Sequence, residues 1–180
     1  MIILASQSPR RKELLARLVS DFEIVVPEVE EWVYADAPGA LVMLNAALKA
    51  TAVATSHPGA TVIGADTVIA HNCRIIGKPR DLDEARGILK ALSGKSHEVL
   101  TGVAFIRPDG SGERYLERTK VVFKPYGDDV VEEYLRRVNV LDKAGAYGIQ
   151  EHGDMLLDHY DGELENIIGL PLRRLAGLLG

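Results

Sequence analysis

Ser6, Ser8, Arg10 and Arg11 stand where an apolar run, Ile2-Ile3-Leu4-Ala5, gives way to an amphipathic stretch, and together they have the makings of an anion site. Ser8 is suited to cap a helix whose first position is Pro9, which leaves free backbone N–H groups beside two guanidinium groups. A helix start carries partial positive charge and open donors, and arginine adds planar, two-pronged recognition of phosphoryl oxygens, so phosphate is the guest this junction fits. A capped helix with two solvated arginines would use the same residues.

Asp66 is the sharpest catalytic candidate. In the run Thr61-Val62-Ile63-Gly64-Ala65-Asp66-Thr67-Val68-Ile69 it shares a strand face with Val62, Gly64 and Val68. An ionised carboxylate among apolar neighbours is costly unless it meets a cation, a donor or a metal. Gly64 leaves room on that face for a ligand or another backbone, and Thr67 sets a hydroxyl beside the carboxylate. A buried Asp–Arg pair is the purely structural alternative.

Other candidates are weaker alone. Lys78, in Gly77-Lys78-Pro79-Arg80-Asp81, lies on a proline-restrained connector from which it could reach a phosphate. Lys49 shares a polar helix stripe with Asn45 and reads as a solvated residue. Glu30 and Glu31 could ligate Mg²⁺ or simply face water. Ser93-Gly94-Lys95-Ser96 imitates the end of a phosphate-binding loop, but Leu89 stands where that motif needs its first glycine, and a strand rather than a helix follows. Gly145-Ala146-Tyr147-Gly148 lacks the spacing of a dinucleotide fingerprint. His57, His71, His97, His152 and His159 are scattered without the helical pairing of zinc sites, and the single cysteine, Cys73, permits no internal disulfide.

These residues need a mixed α/β framework to position them. Apolar runs and turn signals predict a strand over 2–5, a helix over 9–18 and a strand over 22–26. A helix over 38–56 follows, with Leu41, Leu44 and Leu48 as its buried stripe. Strands are expected over 61–69 and 74–77 as a hairpin, then a helix over 82–92 capped by Asp81 with Glu84 three positions on. Two long antiparallel strands, 97–107 and a partner ending near Pro125, flank the turn Pro108-Asp109-Gly110-Ser111-Gly112. A helix over 128–138, a strand over 155–160 and a helix over 171–179 complete an α/β or α+β architecture with a mixed sheet.

Composition narrows the classes. The chain has 180 residues, 47% of them hydrophobic and 26% charged, which suits one compact domain spanning 1–180. A net charge of -5 argues against a nucleic-acid surface, which needs clustered basic excess. No apolar run approaches the roughly 20 residues of a membrane span, and no secretory leader is visible, so the expected setting is cytoplasmic, with no membrane partner.

The separated motifs Leu4-Ala5-Ser6-Gln7-Ser8-Pro9-Arg10-Arg11, Gly64-Ala65-Asp66-Thr67-Val68, Gly77-Lys78-Pro79-Arg80, Leu92-Ser93-Gly94-Lys95-Ser96-His97-Glu98-Val99, Ala144-Gly145-Ala146-Tyr147-Gly148-Ile149-Gln150 and Ile168-Gly169-Leu170-Pro171-Leu172 occur in order along the chain. In that order it closely resembles the Maf family of nucleoside triphosphate pyrophosphatases, formerly described as septum formation proteins. The resemblance implies an elongated mixed sheet flanked by helices, two lobes with a central cleft, and kinship with the inosine triphosphate pyrophosphatase fold. It also implies hydrolysis of a nucleoside triphosphate between its α and β phosphates with a divalent cation, Mg²⁺ first and Mn²⁺ or Co²⁺ as substitutes. Carried over by position, Asp66 would activate water and lie near the metal with Glu31, while Ser6, Arg11, Lys49 and Lys78 would bind phosphate.

The branch acting on dTTP and UTP has Arg, Thr and Gln at three base-sensing positions, matched here by Arg10, Thr67 and Gln150. A branch acting on 7-methyl-GTP has Trp in place of Arg10, where a cationic purine gains from stacking. The resemblance therefore favours dTTP and UTP, with modified pyrimidine triphosphates as a further class, and it allows a homodimer. Asp161-Gly162-Glu163-Leu164-Glu165-Asn166 departs from the family pattern, which often has an aromatic residue there. Two other readings use the same residues: a nucleotide-binding regulator of division with little turnover, and a house-cleaning pyrophosphatase for the purines ITP and XTP.

Overall fold

Ile3, Leu4 and Ala5 are fully buried in β1 (Ile2–Ala5), the apolar run that opens the chain. In the computed structural model, which describes all 180 residues, β1 pairs in parallel with both β2 (Glu23–Val25) and β3 (Thr61–His71). Parallel neighbours need crossover connections, and these are α1 (Pro9–Leu15) and α2 (Pro38–Ser56). β4 (Arg74–Ile76) folds back antiparallel on β3, as the hairpin signal predicts. After α3 (Leu82–Leu92), β5 (Ser96–Ile106) and β6 (Gly112–Phe123) form the second hairpin, closed by Arg107 N–H donating to the Ser111 carbonyl at 2.7 Å. Beyond α4 (Asp128–Arg137), β7 (Leu157–Asp161) pairs antiparallel with β6. The seven strands follow the order β2-β1-β3-β5-β6-β7, with β4 attached to β3. α5 (Leu164–Ile168) and α6 (Leu172–Leu179) end the chain.

The residues divide into two compact units, one of Met1–Thr67, Leu100–Glu117 and Glu165–Gly180, the other of Val68–Val99 and Arg118–Leu164. In the first, Ile3, Ala5, Ala46, Ala50, Val53, Ala60, Val62 and Ala104 form a buried cluster. The second encloses Leu89, Leu92, Phe123, Tyr134 and Leu156.

The buried face of α2 matches the expected leucine stripe only in part. Leu41 is buried as expected, together with Val42, Asn45, Ala46, Lys49, Ala50 and Val53, whereas Leu48 is half-buried and Leu44 is 45% exposed. The cause is a pair of glycines on the sheet. A Cβ on Gly64 would lie 2.5 Å from the Ala46 carbonyl oxygen, and one on Gly102 would lie 2.5 Å from that of Val42. The helix backbone rests directly on β3 and β5, so small side chains fill the contact and Leu44 is turned away. By length and composition alone α2 is apolar enough to cross a membrane, but its inward face is part of this core.

One helix ends earlier than expected and one further element forms. α1 stops at Leu15 because the chain tightens there, with Arg17 and Leu18 N–H bonding three residues back to Leu14 and Leu15. No element is expected over 164–168 from the sequence, yet α5 forms there, preceded by Gly162 at φ +132°. The phosphate-loop imitation is confirmed as a turn: Gly94 has φ +67° and Ser96 begins β5.

Candidate active site

The helix start is built as the sequence predicts. Ser8 is the N-cap of α1, accepting the Arg11 backbone N–H at 3.4 Å, and Pro9 holds the first turn. Ser6, buried just past β1, accepts the Ser8 N–H at 3.1 Å. Arg11 uses three sides of its guanidinium: Nε donates to the Gly169 carbonyl at 2.8 Å, Nη1 to Ser6 Oγ at 3.4 Å and Nη2 to Thr67 Oγ1 at 3.1 Å. Burial lowers the Arg11 pKa, Asp66 and then Glu31 raise it, and neighbouring Arg10 lowers it again. A guanidinium keeps its charge against such pressures, so the site holds a fixed cation.

Behind it lies a second cluster. Asp66, on β3, accepts from Lys49 Nζ at 2.9 Å through Oδ1 and from Asn45 Nδ2 at 3.2 Å through Oδ2. The same ammonium lies 2.8 Å from Glu31 Oε2, so one lysine bridges two carboxylates from different segments. Lys49 is only 7% exposed, which corrects its reading as a solvated residue. A lysine can be buried here because both carboxylates compensate it, and the glycine seats on β3 and β5 bring α2 close enough for the contact. Asp66 is paired with this lysine rather than with an arginine.

Thr67 Oγ1 is engaged on the protein side as well, 2.9 Å from Thr101 Oγ1, which in turn donates to the Asn166 carbonyl at 3.2 Å. Arg10 is half-buried on α1 and Glu30 is exposed. Ser6, Arg10, Arg11, Glu31, Lys49, Asp66 and Thr67 all belong to the first unit, and Lys78 and Gln150 belong to the second. Both of these last are exposed, and their parent segments are joined by the Gly145 N–H donating to the Gly77 carbonyl at 3.0 Å. Gly145 (φ +71°) and Ala146 (φ +59°) make a tight left-handed turn there, unlike a dinucleotide loop.

Sequence reasoning gave Asn45 no role of its own and passed over Thr101. For Asn45 a signal existed: it lies one helical turn before Lys49 on an otherwise apolar helix. Thr101 carried none, being one more β-branched residue in a strand.

For a divalent cation, the oxygen donors are Asp66 and Glu31, already drawn to one positive centre. No group of three His, Cys, Asp or Glu side chains gathers elsewhere. Two carboxylates completed by phosphate oxygens and water are a donor set that Mg²⁺ accepts, so the chemistry of these residues fits such an ion.

A capped helix start, a three-way-braced arginine and a lysine-bridged carboxylate pair on a mixed α/β sheet belong with hydrolases of phosphorylated substrates. The chain is a member of the Maf family, since the model of Maf-like proteins matches residues 1–180. It is 46% identical over 175 residues to a dTTP/UTP pyrophosphatase of Bacillus cytotoxicus, covering 97% of this chain and 91% of that one. A dTTP/UTP pyrophosphatase of Bacillus mycoides is 47% identical over 176 residues, covering 97% and 92%. Among solved structures, the Staphylococcus aureus Ham1 protein shares the fold with a TM-score of 0.57, covering 99% of this chain and 97% of that one at 15% identity.

Proposed function

We propose that this protein hydrolyses dTTP and UTP, with modified pyrimidine triphosphates as a further substrate class, to the nucleoside monophosphate and pyrophosphate. The observation that carries the reading is the Lys49-bridged pair of Asp66 and Glu31, in the same unit as Arg11 and the α1 start. Names of relatives at 46% and 47% identity support the substrate.

In this mechanism Asp66 takes a proton from the attacking water as its oxygen adds to phosphorus, the α–β bridging P–O bond breaks, and pyrophosphate leaves with the electron pair. Asp66 and Glu31 would hold the divalent cation, which when bound neutralises charge on the triphosphate. Ser6, Arg11, Lys49 and Lys78 bind phosphate oxygens, and the braced guanidinium is already oriented when the substrate arrives. Arg10, Thr67 and Gln150 select the base, Thr67 with its hydroxyl bonded to Arg11. We place the activity in the cytoplasm, where the triphosphate pool lies.

The test is to incubate the purified protein with Mg²⁺ and dTTP, UTP, CTP, GTP, ITP or 7-methyl-GTP, resolving pyrophosphate from orthophosphate. Pyrophosphate chiefly from dTTP and UTP supports the proposal. Release chiefly from ITP overturns the base assignment in favour of purine house-cleaning. Tight binding without release with any divalent metal overturns the enzyme reading in favour of a nucleotide-binding regulator.

A further inference from the structure

We propose that Asn45 is a positioning residue that holds the Glu31 segment and Asp66 in one arrangement; the kinetic part of this inference rests on the pyrophosphatase reading. Asn45 is 3% exposed. Its side-chain oxygen accepts the Trp32 backbone N–H at 2.8 Å, and its Nδ2 donates to the Trp32 carbonyl at 3.0 Å and to Asp66 Oδ2 at 3.2 Å. An asparagine amide has two N–H donors and an acceptor oxygen, and here every donor and the oxygen is used.

By pairing both the N–H and the C=O of Trp32, the side chain substitutes for a neighbouring strand. The chain needs this, because residues 26–35 have no regular secondary structure and Trp32, Val33 and Tyr34 are 59%, 92% and 76% exposed. Their side chains provide little burial to anchor the segment. Glu31 precedes Trp32 directly, so fixing the Trp32 backbone fixes the origin of the Glu31 side chain. Lys49, one turn further along α2, then closes the contact by charge at 2.8 Å. Asn45 thus ties together two carboxylates that come from distant parts of the chain, before any substrate is present.

Trp32 is the chain's single tryptophan, which gives the test its own reporter. Asn45→Leu keeps the number and branching of side-chain heavy atoms and does not weaken the helix, while removing all three hydrogen bonds. The expected result is an unchanged far-ultraviolet circular dichroism spectrum, lower Trp32 fluorescence anisotropy, and a kcat for dTTP reduced about 10- to 100-fold with KM moved less than about threefold. Glu31→Gln should cost much less in the Asn45→Leu background than in the wild type, because the two changes disable one unit.

On the wild-type protein, the Trp32 amide should exchange with solvent at least about 100-fold more slowly than its intrinsic rate, a measurement that stands even where Asn45→Leu fails to fold. Exchange at the intrinsic rate overturns the proposal, as does a folded Asn45→Leu protein with wild-type anisotropy and kcat. Lower anisotropy in Asn45→Leu, when wild type releases no pyrophosphate from any nucleotide, sinks the pyrophosphatase reading and leaves the Asn45 clamp standing.

Discussion

Arg11 and Gly169 stand 158 positions apart and meet through one hydrogen bond, Arg11 Nε donating to the Gly169 carbonyl at 2.8 Å. Gly169 has φ +127°, a conformation that side-chain-bearing residues avoid, while the space around it is open to ordinary van der Waals contact. The glycine is therefore required by its backbone angle, which aims the carbonyl at the guanidinium, rather than by crowding.

Arg11→Lys follows from that bracing. A lysine keeps the charge but cannot place donors on Gly169, Ser6 and Thr67 at once, so it forfeits orientation rather than electrostatics. The expected outcome is a folded protein whose kcat/KM for dTTP falls about 100-fold. Steady-state kinetics check it, and a fall below about threefold would mean that charge alone is what the site uses.

Asp66→Asn preserves shape and removes the charge that takes the proton. Lys49 still has Glu31 at 2.8 Å, so the ammonium is not stranded and the fold survives. Turnover should drop by about 10³-fold or more while nucleotide binding, followed by calorimetry, persists. Wild-type pyrophosphate release from this variant would remove Asp66 from the mechanism.

Gly64→Ala and Gly102→Ala test the seat of α2. Each added Cβ would lie 2.5 Å from a helix carbonyl oxygen, at Ala46 and Val42 respectively, and backbone cannot swing aside as a side chain can. The helix must lift, at a cost of about 2 to 3 kcal/mol of stability in each variant. Urea unfolding measures the loss. Activity should fall further than stability explains, because Asn45 and Lys49 move with the helix.

How legible this was in the sequence depended on whether the signal was local. Ser8, Pro9 and Asp81 announced their helix starts because a cap bonds within three residues, and the strand containing Asp66 was plain from its β-branched run. The inward face of α2 was legible only in part: leucine spacing placed Leu41 inside correctly, but two glycines on strands far along the chain seat the helix so that Leu44 faces out. Lys49 was misread for the same reason: burial of a lysine depends on partners at Glu31 and Asp66, which only the fold brings together. The Gly169 carbonyl meets Arg11, and Thr101 meets Thr67, through contacts that no spacing rule encodes.

His97 should make the protein acid-sensitive through the second unit. It is 2% exposed, its Nε2 lies 2.7 Å from the Tyr147 hydroxyl, and its ring meets Phe123 and Tyr147 edge-on with centroids 4.8 and 5.4 Å away. Burial, with a smaller contribution from His71, lowers its pKa from 6.5 to about 4. The folded state thus disfavours the protonated ring relative to the unfolded chain. That contribution to stability is complete above pH 6.5 and is lost as the pH falls toward 4, a loss on the order of 2 to 3 kcal/mol. His97→Phe removes the titration and also deprives the Tyr147 hydroxyl of its partner, so the variant should be less stable than wild type at pH 7 yet lose less on acidification. Urea unfolding of both proteins at pH 7 and pH 4.5 gives the comparison. Equal losses in the two would assign the acid sensitivity to other groups.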